Sequence, residues 1–292
     1  MPFDTPRPSA SISAFKGDAV SGIPLSVGRG FNALSFKHTM YSGTMDPLIM
    51  VDHFVMTEST FGPHAHAGIS AVSILFEDSQ GNFHNMDSLG NDIDLMPGDL
   101  YWLKAGRGAV HDEKPRPGAR THALQVFVNL PGRMKYDAPD SLHVRSSDMP
   151  VLSGEGYRAR LMLGESENLK GETSPALPMT IIDLMLENGG QFAHKIPAGQ
   201  AAFILSIDGD AKAEFGEKSA SLSRGSSISL EPLEQGGRLF VSSSTKAHVV
   251  ILQAAPIKED FVQQGPFAMS TQAEVDAMFA AHAAGELGSI DF

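Results

Sequence analysis

Cysteine is missing altogether from this 292-residue chain. Disulfides, thiolate metal sites and a cysteine nucleophile are thereby excluded. Basic residues are sparse, 22 Lys and Arg against 34 Asp and Glu, and the net charge is -12. They form no cluster, so direct binding to nucleic acid or to an anionic membrane, which needs a basic surface, is not expected. No apolar run approaches the roughly 20 residues of a membrane span. The start, "MPFDTPRPSASIS", lacks the charged head and apolar centre of a signal peptide. A reducing cytoplasm fits these absences. Nucleotide-binding and hydrolase signatures are missing too: there is no Walker loop, no G-x-G-x-x-G after a strand and no G-x-S-x-G elbow.

What the chain does have is short β-like runs broken by many turns. Hydrophobic residues make up 42%, enough for real cores, and 29 Gly and 18 Pro supply the turns. "AVSILFE", "DLYWLKA" and "HALQVFVNLP" are followed later by "PMTIIDLML", "QAAFILSIDG", "GSSISLE", "RLFVSSS" and "HVVILQAAP". This spacing predicts sandwiches or barrels rather than a doubly wound sheet. The length suits two domains. A faint repeat supports that count: "HAGISAVSILFED" resembles "PAGQAAFILSIDG", and "LMPGDLYWL" resembles "LSRGSSISL". The polar, turn-rich stretch "LPGRMKYDAPDSLHV" sets the expected boundary, with domains at 1–135 and 136–292. "STQAEVDAMFAAHAAGELG" carries a capping box, Thr271 with Glu274, then Val275, Met278, Phe279 and His282 at helical spacing. A helix is expected at about 271–284, with His282 an ordinary helix-face residue.

Two spaced polar pairs stand out. His64 and His66 lie in "GPHAHAGIS", and His111 and Glu113 in "AGRGAVHDEKP". Residues two apart on a strand share a face. If the two strands are neighbours, four ligand-type groups meet at one point. Imidazole nitrogen and carboxylate oxygen suit first-row divalent metals. Three neutral histidines and one carboxylate leave a divalent ion about one positive charge by simple counting, and a six-coordinate ion keeps two open positions. Either pair alone is weak; both together, beside Gly and Pro turns, indicate a metal site. Other candidates carry less. Arg107, between Gly106 and Gly108, faces the pocket mouth or is a surface Arg. Trp102 reads as core. His84 and His122 read as hydrogen-bonded or surface histidines. Gln125 shares a face with Phe127 and Asn129 that can line a cavity. His194 and His248 are isolated, so the second half is expected to bind no metal.

The run "PHAHAG…SAVSILFED…MPGDLYWLKAGRGAVHDEKP…ALQVFVNLPGRMK" resembles the pirin family, a bicupin branch of the cupin superfamily. The ending "QQGPFAMSTQAEVDAMFAAHAAGELG" also resembles the pirin tail. The resemblance spans nearly the whole chain and is most specific from His64 to Leu130. It implies an all-β fold of two tandem, jelly-roll-like cupin barrels in a monomer. It also implies one divalent metal, usually iron(II), on His64, His66, His111 and Glu113; manganese, nickel, copper and zinc accept the same donors. The implied activity is dioxygenation of a quercetin-like flavonol, with dioxygen as co-substrate and Glu113 available as a base. The alternative is a non-enzymatic, redox-responsive regulator that binds a protein partner. Pirins usually read H-P-H-R-G-F-E-T-V where this chain has "HAHAGISAV", so Ala67 and Ser70 replace a charged pair near the site.

Overall fold

The computed structural model describes residues 15–290. Four of the six antiparallel sheets among the described residues are arranged as two barrels, and the other two are two-stranded. In the first barrel a seven-stranded sheet runs in the order Asp140–Val144, Leu100–Lys104, Ile69–Leu75, Thr121–Asn129, Leu48–Met56, Phe31–Lys37, Ile23–Val27. It faces a four-stranded sheet of His64–His66, Ala109–Pro115, Phe83–Asp87 and Asp92–Leu95. The second barrel repeats the plan with seven strands facing four.

The seven-stranded sheets stand back to back, which explains their composition. Ile69–Leu75 is buried at every residue, as befits a strand covered on both faces. Val72 and Ile74 point one way and join Phe36, Trp102 and Val126 against Met162, Phe203 and Leu252 of the second barrel. Leu75 points the other way and packs inside the first barrel with Phe31, Phe54 and Phe83. Each fully buried apolar side chain of this kind contributes about 1.5–3 kcal/mol relative to exposure. The barrels are therefore joined by a core of their own. Trp102 belongs to this joint.

The sheets exchange strands across the expected boundary at 135/136. Asp140–Val144 pairs with Leu100–Lys104 of the first barrel. Val20–Ser21 pairs with Ser226 and Ser227 of the second. Leu142 and Val144 complete the first barrel's edge, and the chain next enters the second barrel at Val151–Gly154, beyond the turn-rich stretch.

The C-terminal segment also returns to the first barrel. A hairpin of Val262–Gln264 and Phe267–Met269 leads into the helix Gln272–Ala283. The expected capping box is present: Glu274 N donates to Thr271 Oγ1, and Thr271 N donates to Glu274 Oε2. Val275 and Met278 pack with Phe267 and Met269 onto Ala65, Ala67 and Val110. Ala268 N donates to Ala67 O. Buried Lys135 binds the strap from beneath, donating to Gly68 O, Asn129 Oδ1 and Ala268 O. No helix is long and apolar enough to cross a membrane among the described residues.

Candidate metal centre and the aromatic cavity

The strands His64–His66 and Ala109–Pro115 are hydrogen-bonded neighbours, with His111 opposite His64 and Ala109 opposite His66. Alternation turns all three imidazoles to one side. His64 Nδ1 donates to Gly62 O at 2.8 Å, and His66 Nδ1 to Pro266 O at 3.3 Å. Those acceptors fix each tautomer and leave Nε2 with a free lone pair. The Nε2 atoms converge, His66 to His111 at 3.0 Å and His111 to His64 at 3.1 Å. Donors at right angles around an ion with bonds of about 2.1 Å stand about 3.0 Å apart, against about 3.4 Å for a tetrahedral pair. Both of these spacings match donors at right angles about a six-coordinate ion.

Electrostatics agree with that geometry. Burial, then the charge of His64, pulls His66 down to about 3. Burial and its two histidine neighbours hold His111 well below the ordinary range. Both rings are therefore neutral at physiological pH, the form that ligates metal. Among the described residues, these three histidines form a group that could hold a metal ion.

Glu113 faces the same space but does not join the three nitrogens. Its Oε1 accepts from Ser73 Oγ at 2.5 Å, and its Oε2 stands 3.8 Å from His111 Nδ1. Burial raises its pKa to about 7, against the pull of Ser73 and with help from Asp112 and Asp87. A carboxyl poised there can give up or take a proton near neutral pH.

These groups open on a cavity of about 320 Å³. Phe31, Phe54, Phe61, Phe83 and Phe127 wall it, with Met50 and Met56. Phe31 stacks on Phe54 and meets Phe61 edge-on, while Phe127 meets His66 edge-on at 5.0 Å. Such walls favour a flat aromatic guest.

Gln125 and Phe127 do line the cavity. Asn129 does not: it is buried at the strand's end, where it accepts from Lys135. Arg107 is exposed and stands outside the lining. His84 donates to Asp92 at 2.6 Å. His122 sits at the joint between barrels, donating from Nδ1 to Asp78 and meeting His53 Nε2 at 2.7 Å. His248 donates to Asp183, which Arg160 also holds. Sequence reasoning missed Ser73 and Asp52. Each is the single polar residue on the inward face of its strand, a signal that alternation alone would have exposed.

The chain matches the Pirin family over residues 27–128 and the Pirin C-terminal cupin domain over residues 181–288. The chain belongs to the pirin family. Among pirins, that of Rattus norvegicus is 30% identical over 241 residues, covering 79% of either chain. The fold is likewise that of solved bicupins. A quercetin 2,3-dioxygenase from Acinetobacter baumannii superposes with a TM-score of 0.82 at 24% identity, covering 95% of this chain and 99% of its own. The Escherichia coli pirin YhhW in complex with nickel(II) does so at 0.62 and 15%, covering 80% and 96%. Ala67, which stands where the resemblance led one to expect an arginine, is fully buried and packs with Phe267 and Met269.

Proposed function

We propose that this pirin is a metal-dependent oxygenase for a flavonol-type aromatic enol, quercetin being the representative substrate. The observation that carries the reading is the convergence of three Nε2 atoms at the wall of a phenylalanine-lined cavity. The ligands would be His64, His66 and His111, with Glu113 completing the set when it swings from Ser73. The donor set and its right-angle spacing suit a six-coordinate divalent ion, and iron(II) is the proposed one. When bound, such an ion lowers the pKa of an enol hydroxyl and lets the enolate meet dioxygen.

The chain's own residues supply the rest. The phenylalanines exclude water and hold the ring system flat. Gly62 O and Pro266 O keep the histidines in the ligating tautomer. Glu113, with its pKa near neutral, takes the enol proton, and Ser73 Oγ holds the carboxyl in place for it. The fold likeness to a quercetin 2,3-dioxygenase is consistent with this class of chemistry.

The test is direct. Iron(II) is loaded anaerobically, quercetin is added, oxygen is admitted, and flavonol absorption and oxygen uptake are followed together. Turnover well above that of free iron is expected, with Glu113→Gln losing about 10²–10⁴ of the rate while keeping its metal. Wild-type protein at full occupancy that only matches free iron would overturn the assignment. A second reading, a regulator that docks a protein, draws on Leu25 and Phe61, which are 39% and 51% exposed beside the cavity. It would then take precedence.

A further inference from the structure

The cavity holds a second polar group that the reading above does not use. Asp52 lies on the strand Leu48–Met56 and lines the cavity with Gln125. Strand register places Ser35 beside Asp52, Asp52 beside Gln125, and Gln125 beside Ser73. Four polar side chains thus form one row across the inward face of the seven-stranded sheet. Its Ser73 end is tied to Glu113. Its other end is open.

That open end has unmet hydrogen-bonding capacity. Asp52 is 7% exposed, and its Oδ1 is buried with no hydrogen-bond partner. Gln125 Nε2 is buried without a partner as well, while Ser35 hydrogen-bonds Asp52. Buried polar atoms in folded proteins are nearly always paired. Two unpaired polar atoms on neighbouring strands, Asp52 Oδ1 and Gln125 Nε2, belong to residues that line the apolar cavity and can meet a ligand hydroxyl there. No cation pairs with Asp52 at short range: burial raises its pKa, and Ser35 and Lys37 offset this only in part.

We propose that Asp52, with Gln125 beside it, is a specificity subsite that accepts a hydrogen bond from a hydroxyl of the aromatic substrate, one remote from the enol that meets the metal. The occupant is a polyhydroxylated flat aromatic, not a bare one. The Asp52 carboxyl accepts from the hydroxyl, and the Gln125 amide donates to the same oxygen. The phenylalanine walls hold the rings between this subsite and the histidines. A site built to bind a hydroxyl rejects analogues that lack it, because its own polar atoms are then left unpaired.

This inference rests on the flavonol reading for its choice of ligand, and the experiment separates the two. Quercetin and 3-hydroxyflavone share the enol and ketone, but 3-hydroxyflavone has no other hydroxyl. Their Kd values are measured anaerobically by calorimetry on metal-loaded wild type, Asp52→Ala and Asp52→Asn. Wild type should prefer quercetin about tenfold or more. Asp52→Ala should weaken quercetin about ten- to a hundredfold and leave 3-hydroxyflavone within about twofold. Asp52→Asn, which keeps shape and one acceptor, should fall between, and it carries the test if the alanine variant does not fold or load metal. Equal loss on both ligands, or no loss on quercetin, overturns the subsite. If wild type binds quercetin with the expected preference but consumes no oxygen, the oxygenase reading falls and the subsite stands. If it turns over both flavonols without preference, the subsite falls and the oxygenase reading stands. If it binds neither, both fall.

Discussion

The two barrels share a plan and differ in what fills them. In the first, the inward positions of the four-stranded sheet hold His64, His66, His111 and Glu113. In the second, Phe192, Ile196, Leu239 and Val241 occupy such positions and join an apolar core. One buried histidine, His194, shares that sheet. It is fully engaged: Nε2 donates to Gln253 Oε1 at 2.5 Å, and Ser166 Oγ bonds Nδ1 at 2.9 Å. Gln253 in turn donates to Gln200. The contrast teaches that a buried histidine signals a ligand only when its second nitrogen lacks a protein partner. In the first barrel the Nδ1 acceptors of His64 and His66 leave each Nε2 with nothing to meet but other lone pairs.

The largest expected effect comes from exchanging the two kinds of histidine. His111→Ala should weaken metal binding on the order of a hundredfold or more, leaving little metal by elemental analysis after dialysis. His194→Ala should leave metal content unchanged and lower the unfolding temperature instead. Equal metal content in both variants would erase the distinction between the barrels. Next in size is the second barrel's packing. Leu239 is wholly buried, so Leu239→Ala should cost about 2–5 kcal/mol in denaturant unfolding, with metal affinity unaffected.

A third test uses the repeat itself. Gly68 and Gly199 are counterparts in "HAGIS" and "PAGQA", and both have positive φ, 74° and 75°. A Cβ on Gly68 would stand 2.0 Å from Ala268 O, whereas one on Gly199 would meet nothing within 4 Å. Gly199→Ala should cost about 1–2 kcal/mol, the left-handed penalty alone. Gly68→Ala should cost about 3 kcal/mol or more and loosen the strap, read as faster amide exchange at residues 267–269. Indistinguishable stabilities would mean that the strap is not seated as described.

The smallest effect concerns the joint between the barrels. His53 is pulled down to about 3 by burial, then by His122, His248 and Arg224. Its folded pKa lies below its unfolded value of about 6.5, so the unfolded chain takes up the proton first. The contribution to stability is therefore intact above about pH 6.5 and declines as pH falls from there toward 3. At pH 5 the loss from this residue should be about 1–2 kcal/mol. His53→Gln in metal-loaded protein should flatten that part of the stability profile. An unchanged profile would show that His53 reaches water on protonation.

Much of this was legible in the residues. Strand pattern and turn density gave the all-β plan, and the two spaced pairs named the three converging histidines. Thr271 and Glu274 located the helix to within a residue at each end. What was not legible depends on contacts between distant segments. The strand Asp140–Val144 reads as part of a linker because its partner is forty residues earlier. Glu113 reads as the equal of the histidines because spacing cannot reveal that Ser73, on another sheet, holds its carboxyl. Asp52 looks like any acid in a strand until its neighbours in register are known to be polar too.

The bond from His66 Nδ1 to Pro266 O joins residues 200 apart in sequence. Chains are made from the N-terminus, and early domains fold first. The first barrel can close around its phenylalanines while the rest is still on the ribosome. It cannot orient His66 through that bond until almost the whole protein has been made. A metal held at these histidines would therefore be bound more loosely by a nascent chain than by the finished one, and its loading would be a late step of biosynthesis. A truncation that removes Pro266 would return the protein to that immature state.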